Sequence, residues 1–144
     1  MIRGIAEQDV DEVIVLLKQL SPYPVDPDRE TLRAKILEIA TCGHVKVFGY
    51  ESNGKVAGMC TVGRIEGLSK DYRPFAVIEN VVVHDSMRRK GIGTQLVRHA
   101  MDQAEKWRCY KVVVETGTKT EGKLGFYEKC GLIRGDKTAF IKRF

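Results

Sequence analysis

Three groups of residues in this chain could do chemistry. Arg88-Arg89-Lys90-Gly91-Ile92-Gly93-Thr94 sets three cations and two glycines just ahead of a long helical pattern. Glycine lets a ligand approach backbone that a Cβ would shield. The first turn of a helix offers unpaired N–H groups at the positive end of its dipole. Together these make a seat for a phosphate or pyrophosphate. Upstream, Glu79 interrupts the apolar run Phe75 to Val83. A carboxylate buried in such a strand needs partners or a raised pKa. A raised pKa would suit a base for an ammonium group; a structural carboxylate or a strand-edge ion pair is the alternative. Downstream, Tyr127 carries a phenol with an ordinary pKa of about 10. It is either a proton donor at neutral pH or a core tyrosine bonded to a backbone carbonyl.

The phosphate seat departs from two common forms. A dinucleotide fingerprint needs glycine three residues after Gly93, where Leu96 stands. A P-loop needs Gly-Lys-Ser/Thr after a four-residue spacer, which is missing. A glycine-bearing strand-to-helix turn with a solvated basic face is the plainer reading of the six residues alone.

The elements that must position these groups follow from periodicity. Residues 1–6 read as a short strand. Asp9, with Glu12 three residues on, reads as a capping box for a helix whose apolar stripe ends at Leu20. Ser21 to Pro27 holds three prolines and is a loop. Asp28 caps a second helix ending near Cys42-Gly43. Val45 to Ser52 and Lys55 to Ile65 flank Asn53-Gly54, a strong hairpin signal. Phe75 to Val83 is the central strand, Gly91 to Trp107 a helix, Tyr110 to Glu115 a strand and Gly122 to Lys129 a short helix. Leu132 to Arg134 and Thr138 to Arg143 read as a closing strand pair. A hairpin feeding a strand-helix-strand unit means a mixed α/β sheet with flanking helices.

Composition bounds the rest. One domain over residues 1–144, with 43% hydrophobic and 30% charged residues, can bury a core. No apolar run approaches a membrane span, and no signal-peptide pattern follows Met1, so a cytoplasmic protein away from membranes is expected. Cys42, Cys60, Cys109 and Cys130 lack metal-ligand spacing, and no metal is expected. The net charge of +5 suits a polyanion, but the cations are dispersed without a nucleic-acid-binding pattern.

Arg88-x-x-Gly91-x-Gly93 after a strand, joined to Cys109-Tyr110-Lys111-Val112 and Gly125-Phe126-Tyr127-Glu128-Lys129-Cys130-Gly131-Leu132, resembles the GNAT N-acetyltransferase superfamily. Within it the match is nearest to glucosamine-6-phosphate N-acetyltransferases. The resemblance implies a mixed, mostly antiparallel sheet of six to seven strands flanked by about four helices and splayed at the central strand. It implies acetyl-CoA as co-substrate and direct transfer of its acetyl group to a primary amine, with an amino-sugar phosphate as the leading acceptor. Another small amine, an aminoalkylphosphonate or a protein lysine remains open, as does a non-catalytic acetyl-CoA-binding sensor. Homodimers are common among similar proteins.

Residue roles carry over on matching positions only. The N–H groups of Arg88, Arg89, Lys90, Gly91, Ile92, Gly93 and Thr94 would hold the pyrophosphate. The backbone of Val81, Val82 and Val83 would hold the thioester oxygen and pantetheine arm. Tyr127 would face the sulfur as acid for the leaving thiolate, and Glu79 would act as base or bind substrate. Where relatives carry Asn before the signature tyrosine, residues 120–124 read Thr-Glu-Gly-Lys-Leu, leaving Lys123 or Lys129 to supply that contact. Asn80 stands where the amino-sugar enzymes usually carry an acid. Asn80 would meet the acceptor, together with Tyr23 of the Ser21 to Pro27 loop and Arg73 of the Arg64 to Pro74 loop, which are chosen for their place in loops and not by a matching position. His84 could serve as a secondary base; Cys130 lacks the partners of a nucleophile, so transfer would be direct.

Overall fold

The computed structural model describes residues 1–20 and 26–144. Tyr23 lies outside the described residues. The chain runs β1 (Ile2–Gly4), a 3-10 turn (Glu7–Asp9), α1 (Val10–Leu20), α2 (Arg29–Thr41), β2 (Val45–Ser52), β3 (Lys55–Ile65), β4 (Phe75–Val83), a second 3-10 turn (Asp85–Met87), α3 (Ile92–Lys106), β5 (Val112–Val114) and α4 (Glu121–Lys129). The sheet order is β1-β2-β3-β4-β5. β1 to β4 pair antiparallel and β5 joins β4 in parallel. The hairpin turns where Asn53-Gly54 predicts, with both residues left-handed (φ 52° and 73°), as a two-residue primed turn requires.

Two cores flank the sheet. Ile92, Leu96, Val97, Ala100 and Ala104 of α3 bury one face of Phe48, Cys60, Val62, Ala76 and Ile78. On the other side Val10, Val13 and Leu16 of α1 and Ile36 of α2 cover Val56, Met59 and Val82. Each such side chain taken from water stabilises by about 1.5–3 kcal/mol. That anchors both ends of the β4-turn-α3 unit.

Four expectations are corrected. Among the described residues the sheet has five strands, not six to seven. The strand expected over Tyr110 to Glu115 shortens to Val112–Val114. The closing pair over Leu132 to Arg134 and Thr138 to Arg143 does not form: after α4, left-handed Gly131 (φ 97°) turns the chain, Leu132 N bonds to Tyr127 O at 3.2 Å, and the following residues stay exposed. Asp9 is no partner of Glu12. Its carboxylate accepts from Ala6 N at 2.8 Å and from both terminal nitrogens of Arg3 at 2.7 and 2.9 Å. Asp28 caps α2 as expected, accepting from Thr31 N at 2.8 Å.

Candidate active site

β4 is the scaffold of the site, and it changes phase halfway along. Thr61 pairs with Glu79 and Met59 with Val82, so Asn80 and Val81 together oppose Cys60 alone. This is a β-bulge. Its extra residue, Asn80, is left-handed (φ 54°), a conformation asparagine adopts more readily than most side chains. Asn80 Nδ2 reaches Thr61 Oγ1 at 3.4 Å.

Before the bulge, Ala76 and Ile78 face α3; beyond it, Val82 faces α1 and Val81 and Val83 pack toward α3. The main chain shifts with the side chains. Val82 pairs with Met59, and the register turns the N–H and C=O of Val81 and Val83 away from β3. The backbone groups of Val81 and Val83 are therefore turned away from β3, and those of Val82 are spent in the ladder. β5 pairs with β4 only over Ala76 to Ile78. Beyond that the strands part, and Val81 lies along the opening.

Past Val83 the chain enters the basic turn. Gln19 Oε1, at the end of α1, accepts from Asp85 N at 2.9 Å and ties the elbow down. Sequence periodicity gives no signal for that contact. Arg88 is engaged internally: its Nη2 lies 2.6 Å from Asp85 Oδ1 and its Nε donates to Val83 O at 3.2 Å. Arg89 is left-handed (φ 65°) and Gly91 likewise (φ 77°). No atom lies within 4 Å of where a Gly91 Cβ would stand. The first bond of α3 runs from Gln95 N to Gly91 O, so the N–H groups of Ile92, Gly93 and Thr94 have no acceptor within the helix. This arrangement fits a diphosphate: open approach, three free amides and the basic Arg89 and Lys90 alongside.

Gly93 serves a second purpose. A Cβ there would stand 3.2 Å from Phe126 Cζ, so α4 packs close to the start of α3. Tyr127 follows, its ring 4.9 Å from that of Phe126. Its hydroxyl makes no hydrogen bond among the described residues. Burial, then the neighbouring Cys130, then Glu79 push the phenol above its usual pKa range. It is therefore protonated at neutral pH.

Glu79 is exposed, against the expectation of a buried carboxylate. Glu79 and Asn80 are the two exposed residues of β4. Arg73 is committed elsewhere, donating to Arg108 O and Cys109 O at 3.1 Å each. It stands before the start of β4, roughly 27 Å along the strand from the basic turn. Lys129 is exposed at the end of α4. Burial pushes the Cys130 thiol up, opposed by a bond from Thr94 and by Arg98; Cys60, buried, is pushed up to about 12. Neither is a ready nucleophile. Among the described residues no cluster could hold a metal ion, and no helix is long and apolar enough to cross a membrane.

A strand pair that parts beside a helix start with free amides is the arrangement that the GNAT resemblance leads one to expect. The Acetyltransferase (GNAT) family model matches residues 11–132. A glucosamine 6-phosphate N-acetyltransferase of Arabidopsis thaliana is 33% identical over 83% of this chain and 79% of its own length. The crystal structure of the glucosamine-6-phosphate N-acetyltransferase from that plant superposes with a TM-score of 0.86 at 26% identity, covering 100% of this chain and 97% of that one. A provisionally assigned acetyltransferase of Agrobacterium tumefaciens superposes with a TM-score of 0.93 at 30% identity, over 100% and 99% of the two chains.

The chain belongs to the GNAT acetyltransferase family. It is an N-acetyltransferase that uses acetyl-CoA.

Proposed function

We propose that this chain acetylates the primary amine of an amino-sugar phosphate. The bulge at Asn80 carries the reading, because it turns the Val81 N–H toward the gap between β4 and β5. In that gap the Val81 amide donates to the thioester oxygen, where negative charge gathers during attack. Tyr127 donates its proton to the departing sulfur. The acceptor nitrogen bonds to the acetyl carbon as the carbon–sulfur bond breaks. The surplus ammonium proton leaves through Glu79, directly or by way of water.

The amides of Ile92, Gly93 and Thr94, with the backbone from Arg88 to Gly91, hold the diphosphate; Arg89, Lys90 and Lys129 add positive charge. Asn80, exposed beside Glu79, offers its amide to acceptor hydroxyls; Tyr23 stays a candidate acceptor contact from the sequence alone. Arg73 drops out of this set, since both of its bonds go to the α3–β5 turn. A single domain and a cytoplasmic setting complete the reading; all four cysteines are free, as in a reducing compartment.

The test is amine-dependent release of CoA thiol across glucosamine 6-phosphate, glucosamine, an aminoalkylphosphonate and a lysine peptide. The reading predicts a kcat/KM for glucosamine 6-phosphate at least about tenfold above that for glucosamine, the worth of one charge-assisted contact to the phosphate. Equal rates for the two sugars, or faster turnover of the peptide, would contradict it.

A further inference from the structure

α4 carries Tyr127 but lacks the anchors that hold the other helices. None of its residues is buried, and Thr120 at its start makes no side-chain cap. By contrast α3 buries Leu96, Val97 and Ala100, and Asp28 caps α2. On the inner side of α4, Phe126 and Tyr127 pack partly against the core. Its outer side is held from beyond the helix. Left-handed Gly131 turns the chain back, and Leu132 N donates to Tyr127 O at 3.2 Å. Arg134 then reaches both ends of α4. Its Nη1 donates to Glu121 Oε1 and Oε2 at 3.1 and 3.2 Å, and its Nε lies 3.3 Å from Glu128 Oε1. Glu121 opens α4 and Glu128 sits in its last turn, on one face about two turns apart. Neither pairs with another cation among the described residues. A planar guanidinium can fork between two carboxylates, as an ammonium cannot.

We propose that Arg134 is a positioning residue for Tyr127: it clamps α4 at both ends and so keeps the phenol where the thiolate leaves. The inference rests on the acid role of Tyr127 given above. Exposed ion pairs are individually weak. A helix with so few other ties is where a weak pair shifts the balance between docked and loosened forms. Only the docked form places the phenol, so the docked fraction scales kcat. The free amides at the start of α3 are untouched, so the cost falls on turnover and not on acetyl-CoA binding.

Thiol release at saturating acetyl-CoA and glucosamine 6-phosphate, read beside hydrogen exchange, tests the clamp. Arg134→Gln should lower kcat about three- to tenfold, with calorimetric affinity for acetyl-CoA within about twofold of wild type. Arg134→Lys should recover part of the loss. Arg134→Glu, which sets three carboxylates together, should lose more. Wild-type kcat should fall as potassium chloride rises from about 0.05 to 1 M, and that of Arg134→Gln should not. The α4 amides should exchange about three- to tenfold faster in Arg134→Gln. Unchanged α4 exchange in that variant overturns the proposal, as does a loss of acetyl-CoA affinity in parallel with kcat. So does a salt response that persists without Arg134. The acid reading fails separately: wild-type kcat in Tyr127→Phe would sink it, while faster α4 exchange in Arg134→Gln would leave the clamp standing.

Discussion

Gly93 and Phe126 touch across a space that would crowd a Cβ: a methyl at position 93 would sit 3.2 Å from Phe126 Cζ and 3.4 Å from Cε2. This contact joins the glycine-bearing start of α3 to the helix that carries Tyr127. Gly93→Ala therefore pushes α4 outward by a few tenths of an ångström. Alanine's better helix propensity, up to about 1 kcal/mol, offsets the crowding, so the melting temperature changes by only a few degrees. The kcat falls about tenfold or more, because Tyr127 moves with its neighbour. Adding Phe126→Leu restores part of it. Equal kcat in Gly93→Ala and wild type would refute the linkage.

Asn80 matters for its backbone first. A β-branched side chain in the left-handed region costs about 1–2 kcal/mol, so Asn80→Val destabilises by that much and displaces the Val81 amide. Asn80→Gly keeps the conformation and keeps stability within about 1 kcal/mol. Denaturant titration of the two variants separates them. If Asn80→Val were as stable as Asn80→Gly, the bulge would not depend on this residue.

The elements were largely legible. Asn53-Gly54 marked the hairpin, and the stripe from Ile92 to Ala104 marked α3 to within a residue or two. The bulge was not. Alternation along β4 reads Glu79 as an inward charge in an apolar strand, and only an inserted residue at Asn80 reveals that the face switches there. Arg73 looked like a free cation because a guanidinium held by two distant carbonyls leaves no local pattern. Thr138 to Arg143 has the composition of a strand, but composition alone does not supply an edge to pair with. The glycine-bearing start of α3 was readable because such a helix start is a local motif.

Gly91 is left-handed with open space around it, so conformation rather than room excludes other residues. Gly91→Val strains the turn by about 1–2 kcal/mol and blocks the approach to the free amides. The expected result is at least a tenfold weaker calorimetric affinity for acetyl-CoA. Arg88→Gln, whose guanidinium already serves Asp85 and Val83, should cost binding less than Gly91→Val does. The reverse order would contradict the main-chain seat.

Arg3 beside Asp9 holds that buried carboxyl below the usual carboxylate range, more strongly than burial raises it. A depressed folded pKa gives stability that is present above the unfolded value near 3.8 and is lost as pH falls through the folded one. Asp9→Asn should therefore destabilise by about 2 kcal/mol at pH 7. The gap should narrow steadily below about pH 4. A gap independent of pH would mean that the pair contributes packing alone.

Tyr127 tests the central claim most directly. Its hydroxyl is kept protonated by burial and by its neighbours, and the proposed mechanism has it give that proton to sulfur. Steady-state thiol release with Tyr127→Phe should show kcat lowered by about 10²–10⁴, with the calorimetric affinity for acetyl-CoA within about threefold of wild type. A Tyr127→Phe enzyme with wild-type kcat would contradict the account.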